Sequence, residues 1–274
     1  MGSPPAIDPQ LLDAAMALIS DGLADTARRP LVLGLCGAQG SGKSTLAASI
    51  VDECAALGRT AAVLSIDDLY LGKAERMRLA RDVHPLLATR GVPGTHDIAL
   101  GLATLSALDD GEAAPLPRFD KAADDSIERA LWPPAPAALD VLVFEGWCVG
   151  ARPQPDADLA MPVNALEAAE DADGQWRAFV NAALAGPYQQ LFARIDRLLL
   201  LAAPGFEVVL GWRRQQEREL AHARPGMPGI MGETELTRFV SHYERITRHI
   251  LREMPGRADR TVRLAQDRSV IAIA

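Results

Sequence analysis

Residues 37–45 read Gly-Ala-Gln-Gly-Ser-Gly-Lys-Ser-Thr, a G-x-x-x-x-G-K-[ST] pattern with Gly37, Gly42, Lys43 and Ser44 in its specified places. Glycines at this density let successive backbone N–H groups turn inward around a phosphate. A helix that follows adds its unpaired N–H groups and the positive end of its dipole. The run Gly37, Ala38, Gln39, Gly40, Ser41, Gly42, Lys43, Ser44 and Thr45 is therefore a candidate cradle for a nucleoside triphosphate. Lys43 is expected to reach the β- and γ-phosphates, and the Ser44 hydroxyl to ligate Mg²⁺.

A phosphate loop does not by itself separate kinases from switches or motors; the carboxylates narrow the choice. Ser65-Ile66-Asp67-Asp68-Leu69-Tyr70 places two acids at the tip of an apolar run, and Glu145-Gly146 ends another. When a phosphoryl group passes to a hydroxyl, one carboxylate accepts or orients the hydroxyl proton and another helps to hold Mg²⁺. Asp67 is assigned the first role, close enough to share the metal, and Glu145 is assigned metal-linked support. Asp68 could equally cap the next helix.

Cations complete the set. Arg213 and Arg214, in the stretch 211–217, carry planar forks of donors suited to a transferring phosphoryl group. They are candidates for a lid over the triphosphate, or for a solvated helix face. Arg90 and His96 lie in the loop 90–97, and Arg118 and Lys121 in the loop 115–121. Together they could hold a small anionic substrate, the alternative being ordinary loop structure with surface ion pairs.

These residues need a frame. Apolar strand-type runs are read at 31–36, 60–66, 140–144, 197–201 and 261–264, with a helix at 45–57 and another at 9–27 capped by Asp8-Pro9. Strands alternating with helices predict a parallel sheet covered on both faces, an α/β architecture with ligands beyond the carboxyl ends of the strands. Residues 234–254 read as one amphipathic helix whose apolar stripe is core packing without a functional role. Residues 1–29 are expected to pack as a helix on one domain spanning 30–274. That domain carries substrate loops at about 84–132 and a lid at about 205–230. Proline-rich breaks at 132–138, 151–163 and 223–230 are read as loops.

The formal net charge of -8, with pI near 5.2, argues against a nucleic-acid partner. Cys36, Cys54 and Cys148 are widely spaced, which suits a reducing compartment. With no signal-type segment and no run of 18 apolar residues, the expectation is a cytoplasmic protein without membrane contact.

With these residues in view, the chain resembles the D-glycerate 3-kinases, within the wider uridine kinase and phosphoribulokinase-like group of P-loop enzymes. The resemblance is carried by residues 37–45, 65–70, 90–97, 117–121 and 145–147, with further similarity at 162–166, 212–217 and 239–252. It implies a P-loop NTPase-type three-layer αβα fold and ATP with Mg²⁺. It also implies phosphorylation of glycerate at its 3-hydroxyl to give 3-phosphoglycerate, with Tyr70 and Asp97 joining Arg90, His96, Arg118 and Lys121 around the acceptor. Leu69 stands where an aromatic is usual in the wider group. The stretch 122–126 lacks a glycine-rich segment found in eukaryotic members. A kinase for a nucleoside or another hydroxylated metabolite is the alternative, although only 5% of the chain is aromatic. A nucleotide-driven switch or assembly factor is a further one, although no N-K-x-D base-reading segment is present.

Overall fold

The structure, a computed structural model, describes residues 7–27, 29–111, 113–223 and 231–274, with side chains left out for 219–223. The proline-rich stretch 224–230, in the expected lid, and residues 1–6 lie outside the described residues. In chain order the elements are α1 (Pro9–Asp25), β1 (Leu31–Gly37), α2 (Lys43–Ala56), β2 (Ala61–Ser65), α3 (Lys73–Asp82) and α4 (Ile98–Asp109). A short hairpin, β3 (Phe119–Asp120) and β4 (Asp125–Ser126), precedes β5 (Val141–Gly146). Then come α5 (Ala165–Glu170), α6 (Gln175–Ala183), α7 (Gln189–Phe192), β6 (Arg197–Ala202), α8 (Glu207–Ala223), α9 (Glu233–Ser241), α10 (Glu244–Glu253), β7 (Arg260–Leu264) and β8 (Val270–Ile273).

The main sheet has six strands in the order β2-β5-β1-β6-β7-β8. All neighbours are parallel except β7 and β8. The five expected strands are present within a residue or two of their expected ends. The antiparallel edge strand β8 and the small β3–β4 hairpin were not anticipated, being too short to show a period.

Both faces of the sheet are covered, as near-continuous apolar strands require. Along β1, Leu31, Leu33 and Leu35 pack with Leu11, Ile19, Leu46 and Ile50 of α1 and α2. Val32 and Cys36 face the opposite layer of Ile98, Trp176, Val180 and Ile250. The period of two along β1, β5 and β6 thus divides the core into two apolar layers. α1 begins where read, its Asp8 Oδ1 accepting from the Gln10 N–H at 3.0 Å, and ends at Asp25 rather than residue 27. No helix among the described residues is long and apolar enough to cross a membrane.

The single helix expected over 234–254 is two, α9 and α10, which meet at His242 and Tyr243. At this junction the Tyr243 hydroxyl donates to the Arg90 carbonyl at 3.0 Å. α10 is tied to α5 by a buried ion pair: Arg245 donates to Glu167 Oε1 at 2.8 Å and Oε2 at 2.6 Å. Glu167→Ala would leave that guanidinium buried without its counter-charge. It is expected to lower the unfolding free energy by about 3–5 kcal/mol, measured by urea denaturation. Glu167→Leu with Arg245→Met should recover most of the loss.

Candidate active site

Parallel pairing brings the carboxyl ends of β1, β2 and β5 side by side, with Cys36 opposite Gly146 and Ser65 opposite Glu145. The phosphate loop, the Asp67 turn and Glu145 therefore meet at one edge of the sheet. Gly40 has φ +80°, and a Cβ there would sit 2.6 Å from Trp212 Cβ, so only glycine fits. The loop is braced from the far end of the chain. Arg268 donates to the Gly40 carbonyl at 2.6 Å and lies over Trp212, whose indole N–H donates to Gln266 O at 2.7 Å. α2 begins at Lys43, after Gly42, without a side-chain cap, which leaves its first N–H groups facing the loop.

Ser44 Oγ donates to Glu145 Oε1 at 3.1 Å. Glu145 Oε2, Ser41 Oγ and Gln39 Oε1 are buried and have no hydrogen-bond partner among the described residues. Buried polar atoms without partners are uncommon, and these three belong to the phosphate loop and to the carboxylate that Ser44 contacts.

Asp67 lies across the cleft from this cluster. Its Oδ1 accepts from the Tyr70 hydroxyl at 2.6 Å and its Oδ2 from Lys121 Nζ at 2.6 Å. Burial pushes the carboxyl up, but Lys121, Lys43 and the Tyr70 hydroxyl together outweigh it and hold Asp67 well below the usual carboxylate range. The same burial, with Asp67 nearby, drives the Tyr70 phenol well above its ordinary value. A cavity of about 400 Å³ joins the two halves, reaching from Gln39 and Lys43 past Asp67 and Tyr70 to Arg90 and Lys121. A second cavity, about 610 Å³, beside Gly205 and Arg248 contains neither Lys43 nor Asp67.

The remaining sequence-assigned residues divide. Arg213 lines the cleft, pairs with Glu217 at 2.5 Å and lies over Phe239. Arg214 does not line it: on the outer face of α8 it is engaged by Glu233 of α9. Arg118 is also absent from the lining; it donates to Asp68 Oδ2 at 3.1 Å. Asp68 caps no helix, because its Oδ1 accepts from the Phe119 N–H at 3.1 Å and so anchors the β3–β4 hairpin. Asp97 is the N-cap of α4, accepting from the Leu100 N–H at 2.9 Å. His96 is buried behind the wall, 2.5 Å from the Tyr188 hydroxyl, and burial lowers its pKa to about 4, so it is neutral at physiological pH. In this structure Arg118, His96 and Asp97 are thus engaged by neighbouring groups outside the cavity lining, and Arg214 lies outside it too.

Sequence reasoning missed Arg76, Asp124, Trp147, Phe239 and Tyr243 as lining residues, and Arg268 as a brace. Trp147 and Tyr243 pack edge to face at 4.8 Å, and the indole N–H donates to Gly91 O at 2.9 Å. Gly91 has φ +127°, and a Cβ there would run into the Tyr243 ring. The two glycines of the 90–97 loop, Gly91 and Gly94, both at positive φ, were visible as a signal for such close approach.

No model of a known protein family matches the chain. The uncharacterized kinase mug58 of Schizosaccharomyces pombe is 35% identical over 225 residues, covering 78% of this chain and 79% of that protein. The chloroplastic D-glycerate 3-kinase of Arabidopsis thaliana is 33% identical over 225 residues, covering 78% of this chain and 46% of that longer protein. The chain belongs to the D-glycerate 3-kinase-like family of P-loop kinases. Among solved structures, the D-glycerate 3-kinase of Cryptococcus neoformans superposes with a TM-score of 0.80 at 22% identity, over 97% of this chain and 99% of that one. The YGR205w protein superposes at 0.74 and 24% identity, over 96% and 97%. At these identities the likeness speaks for the fold.

As a P-loop small-molecule kinase the chain uses ATP. Its donor set fits Mg²⁺: hard oxygens, of which the orphaned Glu145 Oε2 and the Ser44 hydroxyl are at hand. Among the described residues no group of three or more His, Cys, Asp or Glu could hold a metal alone. That is expected where nucleotide phosphates complete the shell. Bound there, Mg²⁺ would neutralise charge on the phosphate oxygens. Asp67, expected to share the metal, instead has both oxygens engaged by Tyr70 and Lys121.

A carboxyl whose folded pKa lies below its unfolded value of about 4 stabilises the fold above that pH, and the contribution is lost as pH falls through the folded pKa. Lys121→Met should raise the Asp67 pKa toward that ordinary value. The acid limb of kcat/KM should then move to higher pH, read from a pH–rate profile. A limb that stays in place would detach it from Asp67.

Proposed function

We propose that this kinase transfers the γ-phosphoryl group of ATP to the 3-hydroxyl of D-glycerate, giving 3-phosphoglycerate and ADP. The observation that carries the reading is the placement of Asp67, facing Lys43 across one cleft whose far wall holds Arg90 and Lys121. A terminal hydroxyl set against Asp67 leaves the carboxylate end of a three-carbon acid toward those cations. The named activity of the Arabidopsis relative supports the same acceptor.

The acceptor carboxylate draws Lys121 from Asp67, and the acceptor hydroxyl donates to the oxygen so released. With Lys121 drawn away the Asp67 carboxylate becomes a better base, though still an ordinary carboxylate and weak against an alcohol. It orients the hydroxyl and takes its proton only as the new O–P bond makes that proton acidic. The bond from the γ-phosphorus to the bridging oxygen breaks, ADP leaves, and the proton passes from Asp67 to solvent. Lys43 stabilises the charge on the transferring group, and Arg213 lines the same cleft.

Low aromatic content first spoke against a nucleoside acceptor, yet Tyr70, Trp147, Phe239 and Tyr243 all line the cleft. They are scaffolding. Trp147 and Tyr243 pack on each other and spend their polar tips on Gly91 and Arg90.

ADP release with ATP and Mg²⁺ across D-glycerate, L-glycerate, uridine, pantothenate and ribulose 5-phosphate tests the acceptor. Release that depends on D-glycerate and yields 3-phosphoglycerate is expected; turnover with another member alone would replace it. Lys43→Ala should cost several orders of magnitude in turnover. Asp67→Asn should retain ATP affinity by calorimetry and lose transfer. An Asn variant with near-normal turnover would remove Asp67 from the reaction.

A further inference from the structure

Asp124 stands between two guanidinium groups at the acceptor end of the cleft. Its Oδ2 accepts from Arg76 at 2.5 Å and its Oδ1 accepts from Arg90. All three residues line the cavity. Arg76 is 1% exposed and gives its other donors to the carbonyls of Ala88 and Leu71, at 3.3 and 2.6 Å. Arg90 gives one to the Lys121 carbonyl at 3.3 Å and lies over Phe119. Asp124 has φ 58°, a left-handed position in the turn between β3 and β4. The nearby Lys121 and Asp67 cancel in charge, whether they stay paired or an acceptor parts them. The arginine–aspartate–arginine cluster therefore carries one net positive charge.

We infer that Asp124 sets the charge of the acceptor that this kinase takes. It admits hydroxy acids whose far end carries a single negative charge and rejects those ending in a phosphate dianion. The inference rests on the reading of the acceptor as a hydroxy acid. A monoanion brings the cluster to neutrality. A dianion would add a surplus negative charge beside a carboxylate that cannot move away, since it is held by both arginines. Such a like-charge contact opposes binding in a partly dry cleft. Without Asp124, the arginines would form a paired fork of the kind that recognises phosphate.

Glycerol, D-glycerate and glycerol 1-phosphate offer the same hydroxyl with a far end of zero, one and close to two negative charges near pH 7.5. Binding of each to the ADP-loaded full chain is read by calorimetry, and phosphorylation by ADP release from ATP. The unaltered protein is expected to rank D-glycerate first. Asp124→Asn should improve glycerol 1-phosphate relative to D-glycerate by about tenfold or more, while Asp124→Glu keeps the original order. Arg90→Gln should move the order toward glycerol. The double variant Arg90→Gln with Asp124→Asn regains one net charge and should restore the preference for D-glycerate, which a purely structural role would not produce. An unchanged order in Asp124→Asn, including binding of neither anion, overturns the inference. If Asp124→Asn fails to bind ADP and so to fold, Asp124→Glu and Arg90→Gln decide, and an order that Arg90→Gln leaves unmoved overturns it. An Asn variant that gains the phosphate ester while the unaltered protein ignores D-glycerate would sink the acceptor reading and sustain the role of Asp124.

Discussion

Asp67 has to remain a charged carboxylate on the floor of a narrow cleft, and the groups around it are arranged by that requirement. Burial works against the charge, so a cation must be brought to it, and Lys121 arrives on the tip of the β3–β4 hairpin. The hairpin pairs through only Phe119 with Ser126 and Asp120 with Asp125, far too little to hold itself in place. Asp68, the next residue along from Asp67, supplies the anchor by binding the Phe119 N–H and Arg118. Adjacent acids at one strand tip thus do different work: one faces the cleft, and the other positions the cation that keeps the first ionised. The same anchoring places Asp124 between Arg76 and Arg90, so the acceptor wall depends on the turn after β2.

What could be read in advance is what depends on local pattern. The phosphate loop is contiguous, its glycines and Lys43 act within nine residues, and an apolar run before it specifies the strand. Ser44 and Glu145 are 101 residues apart, yet both were legible because each follows a buried strand and parallel strands end at a common edge. Arg76 was not legible. It sits in a helix of charged residues, Lys73–Asp82, that reads as a solvated face, and its burial depends on Asp124, 48 residues away. Arg118 misled in the other direction: three residues before Lys121, it pairs with Asp68 while Lys121, in the hairpin turn, reaches Asp67. The break between α9 and α10 escaped for a related reason. The apolar spacing of Phe239, Tyr243, Ile246 and Ile250 continues across it, so the pattern carries no mark of the junction.

The halves of the cleft differ in one physical respect. On the nucleotide side, Gln39 Oε1, Ser41 Oγ and Glu145 Oε2 are buried without partners among the described residues. Groups left in that state gain from a ligand without first giving up a bond. On the acceptor side every charged group already has a partner, Lys121 with Asp67 and both Arg76 and Arg90 with Asp124, although the last cluster keeps one net positive charge. An acceptor must exchange at least one of those pairs for its own, so part of its binding free energy is used in rearrangement. Discrimination follows, because a molecule without the right charge cannot offset the pair it breaks.

That asymmetry also bears on water, the competitor every kinase has to exclude. Water reaches the cleft as easily as a small hydroxylated acceptor does, and it has a proton to donate. With Tyr70 and Lys121 bonded to the two Asp67 oxygens at 2.6 Å, much of the carboxylate's charge is already engaged, which weakens its hold on a water molecule near a bound triphosphate. Lys121 is 59% exposed and reaches Asp67 from the solvent side, so an anion entering from that side meets Lys121 before it meets Asp67. Water carries no charge with which to draw Lys121 away; a carboxylate does. On the proposed reading, the ion pair that keeps Asp67 ionised also keeps it unavailable, and the acceptor's own charge releases it.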